Sequence, residues 1–441
     1  MNPRIETIRT EGLGDSTYVL VHDGLAVVVD PQRDIDRFES VLAEQDVPLR
    51  AVVETHLHND YVSGGKDLAT RYGADLVMPA GAAPVFRHRP AFHQEDIVLG
   101  DLVLRPLHTP GHTPEHMSYL VLIGDREEAV FSGGSLLVGS AGRSDLLGED
   151  RAETLARLQY GSVNRLASLP DHVGLYPTHG AGSFCTTTGT GDAFSSTIGG
   201  ERATNPVLSY PDEDSFVSGQ LSGLPAYPSY YSHMGPINLH GLPSPSLSAP
   251  HLDAIPEDAT VIDARPREAY ARGHLPGSLG IEVRDSFGTW VGWITEHNTP
   301  IVLVLDDDQD PEEPLRQLAR IGYDSVVGIV RPDSKFNESY EIVDVAAFVE
   351  ALERGEQVLD VRSPEEIAED GEIADAIVSY VPDLSHAIPS DLKLDPPVWL
   401  LCGTGYRATI AAGIVQRHGY QPIVLAEAGA TEVLQEASKP A

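Results

Sequence analysis

Thr55-His56-Leu57-His58-Asn59-Asp60-Tyr61-Val62-Ser63-Gly64-Gly65 is the stretch from which the architecture of this chain is read. It follows Ala51-Val52-Val53, a short apolar, β-branched run that predicts a buried strand. Two imidazoles at alternate positions just past a strand end can turn inward from one loop, and the Asp60 carboxylate follows two residues on. Ser63 and two glycines then open a predicted helix from Lys66 to Tyr72. A single loop histidine is ordinarily an exposed polar residue, so the meaning of this stretch depends on what accompanies it.

Two further histidines accompany it. His112 sits in Thr109-Pro110-Gly111-His112-Thr113-Pro114, a turn whose Pro and Gly fix the approach of the ring, and His179 follows Tyr176-Pro177-Thr178 in a Gly-rich turn. His56, His58, Asp60, His112 and His179 are therefore the candidate metal ligands. Neutral imidazoles with a carboxylate suit zinc or iron(II), and an open position admits water or substrate. Ahead of these motifs, Thr17–Val21 and Leu25–Val29 read as strands around a His22-Asp23-Gly24 turn. Asp34 is expected to cap a helix running to about Gln45, with Ile35, Phe38, Val41 and Leu42 on one face. Further strands are expected near Leu102–Leu107, Met117–Ile123 and Ala129–Phe131. Strands with helices between them predict a layered α/β sandwich over residues 1–245.

In that order and context the motifs resemble the metallo-β-lactamase fold, an αββα sandwich. The longer string from Thr55 to Gly65, with His179-Gly180-Ala181-Gly182-Ser183-Phe184-Cys185, resembles a narrower branch, the persulfide dioxygenase–rhodanese fusion proteins. The resemblance runs over nearly the whole chain, including Tyr227–Gly235. It implies iron(II) as the cofactor, held by two histidines and an aspartate, and oxidation of low-molecular-weight persulfides such as glutathione persulfide to sulfite or thiosulfate. His56 and His112 match the histidines. The aspartate is expected after a strand in F-[ST]-G-D, but this chain reads Phe131-Ser132-Gly133-Gly134. Tyr61 stands where related hydrolases carry a second-site histidine. The remaining set, His56, His58 and His112, can still form a three-histidine site, with Asp60 and His179 nearby. Arg143, in Gly142-Arg143-Ser144-Asp145, matches a family loop and is a candidate grip for a thiol's carboxylate; the ordinary alternative is a salt bridge to Asp145.

Residues 205–250 change texture to Pro, Ser, Tyr and Gly, which predicts an ordered strap packed along domain surfaces. Two shorter modules follow, over 250–333 and 340–441. Each opens with strand–Asp–x–Arg, Asp263-Ala264-Arg265 and Asp360-Val361-Arg362, an internal duplication. In the second, the strand Val398–Leu401 leads into Cys402-Gly403-Thr404-Gly405-Tyr406-Arg407 and a helix. Backbone N–H groups, a helix N-terminus and Arg407 all stabilise a thiolate or an anionic persulfide. This loop resembles the rhodanese C-x-x-G-x-R loop, in which cysteine accepts sulfane sulfur. Cys402 and Arg407 are the candidate catalytic residues, and Gly403, Thr404, Gly405 and Tyr406 the candidate binding loop. Gly403 replaces a basic residue common in rhodaneses, which argues against thiosulfate as a good donor. The first module keeps Gly273-His274-Leu275-Pro276-Gly277-Ser278 but ends its strand in Asp306-Asp307-Asp308, without a thiol, and reads as non-catalytic. Cys185, near His179 in sequence, is either a second sulfur-carrying thiol or a small buried side chain.

Composition bounds the rest. With 441 residues, 41% hydrophobic and 22% charged, the chain is globular and multidomain. Lys and Arg total 30 against 66 Asp and Glu, a formal charge of −36, which excludes nucleic acid and anionic membrane as natural partners. Two cysteines and no apparent targeting signal or spanning segment fit a reducing, cytoplasmic setting. The expected partners are small thiols and persulfides, and a homo-oligomer is compatible with the composition. The rival readings are a zinc thioester hydrolase of glyoxalase II type and a sulfur carrier with a degenerate metal domain.

Overall fold

The computed structural model describes residues 3–187 and 193–438. It divides into two compact units: Met1–Pro245 with Leu318–Gly322, and Ser246–Gln317 with Tyr323–Ala441.

The first unit is built on two six-stranded sheets. One runs Arg4–Thr10, Asp15–His22, Leu25–Val29, Leu49–Val53, Asp75–Pro79 and Arg89–Ala91 in spatial order; the other runs Ser196–Thr197, Gly174–Pro177, Arg126–Gly133, Met117–Ile123, Leu102–His108 and Ile97–Leu99. Alternation decides which side chains enter the space between them. Tyr18, Leu20, Val27, Val29, Ala51 and Val53 from the first sheet meet Leu104, Tyr119, Val121 and Phe131 from the second. The opposite faces are apolar too, because each carries helices. Asp36–Gln45 and Gly65–Tyr72 bury Phe38, Leu42 and Leu68 against Val19, Val28 and Val52, and Glu149–Ala167 buries Ala156, Val163 and Leu166 against Leu120, Leu122 and Val130. The result is the four-layer αββα sandwich. Asp34 does not cap its helix: the N-cap is Ile35, and the Asp34 carboxylate lies 2.9 Å from Arg37 Nε instead.

The strap is more regular than its texture suggests. It contains helices Glu213–Leu221 and Tyr231–His240, the second with Pro236 inside it. Neither shows a helical apolar period; both are held by what they pack on.

The second unit contains two parallel sheets. Leu279–Gly280, Thr260–Asp263, Ile301–Val304 and Val326–Val330 form one, and Glu341–Val343, Pro422–Leu425, Val398–Leu401, Val358–Asp360 and Ile377–Val378 the other. The strand–Asp–x–Arg signature proves structural in both: Arg265 and Arg362 fold back in paired hydrogen bonds onto the buried carboxylates of Asp263 and Asp360. Among the described residues no helix is long and apolar enough to cross a membrane.

Candidate functional site

Strand ends of both sheets in the first unit deliver polar side chains to one point. His56, His58 and Asp60 lie in the loop after Leu49–Val53, His112 in the connection before Met117–Ile123, His179 after Gly174–Pro177, and Asp15 opens its own strand. All six are buried, none more than 1% exposed. Asp15 and His179 are also joined by an isolated antiparallel bridge.

Three imidazoles, His56, His112 and His179, bring donor nitrogens within 4.8 Å of one another. In each the Nδ1 is engaged behind the ring. His112 Nδ1 donates to Arg143 O at 2.8 Å, His179 Nδ1 lies 2.8 Å from Asp15 Oδ1, and His56 Nδ1 lies 2.8 Å from Thr55 Oγ1. The Thr55 hydroxyl spends its own hydrogen on Asp30 Oδ2, 2.8 Å away, so it accepts from His56. The Nε2 atoms therefore face inward. Those of His56 and His179 are 3.3 Å apart, and that of His112 is buried without a partner. Nitrogens about 2.05 Å from a tetrahedral metal stand ~3.3 Å apart, so the donor set fits a zinc- or iron-sized ion, with Asp15, Thr55 and the Arg143 carbonyl orienting the rings.

Electrostatics point the same way. Burial pushes His112 down to about 3 and His56 well below the usual imidazole range, leaving both as neutral lone-pair donors. Burial opposes charge on His179 as well, but the carboxylates of Asp60 and Asp15 outweigh it and hold the group up to about 10. Burial and the neighbouring Asp60 raise Asp15 to about 8. Asp15 Oδ2 and Asp60 Oδ1 have no hydrogen-bond partner. The inward nitrogens of His56 and His112 are thus neutral, while His179 sits between two crowded acids, Asp15 and Asp60.

His58 is placed differently. Its Nε2 turns to Glu54 Oε2 at 3.1 Å, Asp30 Oδ1 at 3.3 Å and Tyr61 Oη at 3.0 Å. Those two carboxylates, against the effect of burial, hold it well above the ordinary range. Its Nδ1 is unpartnered; His58 also belongs to a second donor set, with Asp60 and His179, and to a third, with Asp30 and Glu54. Tyr61 stacks on His58 with ring centroids 4.3 Å apart. The strap secures this loop: Asn238 Nδ2 donates to both His58 O and Tyr61 O at 2.8 Å, and Tyr230 Oη donates to Asp60 O.

Gly134, at the position of the expected aspartate, is closely packed. A Cβ there would lie 2.2 Å from His112 Cδ2 and 2.8 Å from its Nε2. The His112 ring occupies the volume a carboxylate would enter through, and His179 supplies the third donor. Arg143 is buried and bidentate to Asp145, both contacts at 2.7 Å, with Nη1 on Phe184 O and the Tyr227 ring 4.8 Å away. The forked edge assigned from the sequence to a thiol's carboxylate thus faces Asp145. Cys185 is buried, its Sγ 3.5 Å from Asp60 Oδ2, and burial raises its thiol well above the usual range.

In the second unit Cys402 is buried at the end of Val398–Leu401, and Gly405 N donates to its Sγ at 3.1 Å. Gly405 has φ +80° and immediately precedes helix Tyr406–Arg417, and a Cβ there would meet Ala426 O at 2.0 Å. Only glycine fits that turn. Arg407 is clamped by both nitrogens onto Glu366, which lies in the first turn of Pro364–Asp370. Asp15, Asp30, Glu54 and Glu366 escaped the sequence reading: Asp15, Asp30 and Glu366 are single acids far in sequence from their partners, and Glu54 pairs with His58 four residues on without belonging to a motif.

A metallo-beta-lactamase superfamily model matches residues 10–179, and a rhodanese-like domain model matches residues 248–331 and again 344–436. The chain is 34% identical over 166 residues to the probable polyketide biosynthesis zinc-dependent hydrolase BaeB of Bacillus velezensis, covering 36% of this chain and 68% of that protein. It is 28% identical over 163 residues to a hydroxyacylglutathione hydrolase of Francisella philomiragia, covering 37% and 61%. A crystal structure of a metallo-beta-lactamase from Staphylococcus aureus superposes with TM-score 0.69 at 28% identity, over 76% of this chain and all of that one. That share is too large for residues 10–179 alone. The chain belongs to the metallo-beta-lactamase superfamily and carries, behind that domain, two rhodanese-like domains.

Proposed function

We propose that the first unit is a mononuclear iron(II) persulfide dioxygenase and that Cys402 carries sulfane sulfur for it or from it. The observation that carries this reading is the buried trio His56, His112 and His179, whose donor nitrogens come together as one set. With Tyr61 stacked on His58, the site lacks the second-site histidine that a two-metal hydrolase would use, and His179 stands in for the iron-binding aspartate that the resemblance implies, whose place at Gly134 the His112 ring fills. Iron(II) held by His56, His112 and His179 would supply the affinity for a thiolate sulfur and for dioxygen. The chain's own residues do the rest. Thr55, Asp15 and the Arg143 carbonyl fix the rings, and Asp60 Oδ2, 3.3 Å from His179 Nδ1, supports the His179 ring as well. Persulfide, dioxygen and water balance to thiol and sulfite. At the second site the Cys402 thiolate attacks the outer sulfur of a persulfide and releases a thiolate, leaving a cysteine persulfide.

The zinc thioester hydrolase remains the second reading, favoured by the relatives at residues 10–179. The deciding experiment measures bound metal in anaerobically purified protein together with oxygen uptake on glutathione persulfide. About one iron per chain and persulfide-dependent uptake, retained in Cys402→Ser while sulfur transfer is lost, is the expected result. Zinc with thioester cleavage and no uptake after iron reconstitution would overturn it.

A further inference from the structure

The cysteine-free rhodanese-like half is bound closely to the cysteine-bearing one. Helix Tyr406–Arg417 packs on Leu279–Gly280: Arg417 Nε donates to Gly277 O at 2.9 Å, and a Cβ at Gly413 would approach Tyr270 Oη at 2.8 Å. Packing alone would make the first half a spacer. The contacts at the thiol loop are more specific.

Arg267, in the first turn of helix Arg267–Arg272, extends Nη1 to Thr404 O at 3.0 Å and Ala426 O at 2.7 Å, with Nε on Glu282 Oε2 at 3.0 Å. Thr404 O is one end of a peptide unit whose other end is Gly405 N–H. That N–H donates to Cys402 Sγ at 3.1 Å. In a trans peptide the carbonyl and the N–H point in opposite directions, so a cation drawn to the oxygen polarises the amide toward the sulfur. The same guanidinium binds Ala426 O, the atom that leaves no room for a side chain on Gly405. One side chain thus fixes both walls of the turn.

We infer that Arg267 is a positioning residue for Cys402, acting across the boundary between the two halves through the Thr404–Gly405 peptide. The inference rests on the reading of Cys402 as the sulfur-carrying thiol. It assigns the half without a cysteine a part in the chemistry of its neighbour. Arg407, the cation expected from the sequence to serve the thiol, is held by Glu366 and also feels the charge of Cys402, so Arg267 acts beside it and through the backbone. The other groups around the loop are Tyr406, whose Oη donates to Glu282 O; Arg284, 4.7 Å from the Tyr406 ring; and Tyr380, which interacts with Arg407. Among the described residues Glu282 is the acid paired with Arg267, and it draws that charge away from the peptide.

The test uses the full chain and reads the ultraviolet absorbance of the Cys402 thiolate at neutral pH, as the difference from Cys402→Ser. Arg267→Met is expected to lower it several-fold and to slow the gain of one sulfur from glutathione persulfide, followed by mass, by about tenfold. Arg267→Lys should restore part of both. Glu282→Gln leaves the backbone acceptor for Tyr406 in place and should raise the absorbance. If Arg267→Met unfolds the unit, Glu282→Gln decides alone. Wild-type absorbance in a folded Arg267→Met, or no rise in Glu282→Gln, would reduce Arg267 to a clamp and overturn the inference. Should the wild type take up no sulfur while the absorbance follows the substitutions, the relay stands and the sulfur-carrier reading of Cys402 fails.

Discussion

His58 and His179 carry the same side chain in the same cluster and are put to opposite uses. His179 directs Nε2 inward with Asp15 behind it, whereas His58 directs Nε2 outward to Glu54 and Asp30. His179→Ala is accordingly expected to lower metal content, measured by elemental analysis, to under about a tenth of wild type. His58→Ala should retain most of the metal but lose stability, by about 3–5 kcal/mol in chemical denaturation, because two buried carboxylates lose their cation. Equal metal loss in both would show that His58 is a ligand and restore the set His56, His58 and His112. The motif reading named His56, His58, His112 and His179, since H-x-H-x-D, P-G-H and T-H-G each mark a loop, but missed His116, which stacks on His56 and accepts from Gly134 N. It gave no means of telling which nitrogen faces inward. That choice is made by Asp15, Asp30 and Glu54, whose positions in the sequence carry no motif, and by His112 closing over Gly134.

At the scale of elements, the strand assignments were legible because both faces of each sheet are covered, so the strands are short apolar runs between turn residues. The strap helices were not. Tyr231–His240 holds Gly235 and Pro236 and has no apolar stripe, so its helicity comes from contacts such as Asn238 on the His58–Tyr61 loop. The turn before Tyr406–Arg417 is the reverse case: C-x-x-G announces it, and the structure supplies the reason. Gly405→Ala places a Cβ at positive φ against Ala426 O, and a left-handed alanine alone costs about 1–2 kcal/mol. Urea denaturation can be followed by tryptophan emission, because Trp290, Trp293 and Trp399 all lie in the second unit. The midpoint for Gly405→Ala should fall by an amount equivalent to at least ~2 kcal/mol, with metal content unchanged. A wild-type midpoint would mean that the turn relaxes and that its glycine is not needed for this geometry.

Over the whole molecule the dominant quantity is a formal charge of −36. The persulfide proposed as substrate would be an anion near neutral pH, and glutathione adds carboxylates, so protein and persulfide would repel each other at long range. Screening shortens that repulsion: the Debye length falls from about 30 Å at 0.01 M salt to about 10 Å at 0.1 M. The cations nearest the described sites do little to counter it, since Arg143 is matched by Asp145, Arg407 by Glu366 and Arg267 by Glu282. For glutathione persulfide, kcat/KM should therefore rise about two- to fivefold between those two salt concentrations, with kcat unchanged, because steering acts on encounter and not on the bound complex. Steady-state oxygen uptake measures this directly. A fall in kcat/KM over the same range would mean that a locally positive approach captures the anion in spite of the overall field, and the matched arginines would then have to be reassigned.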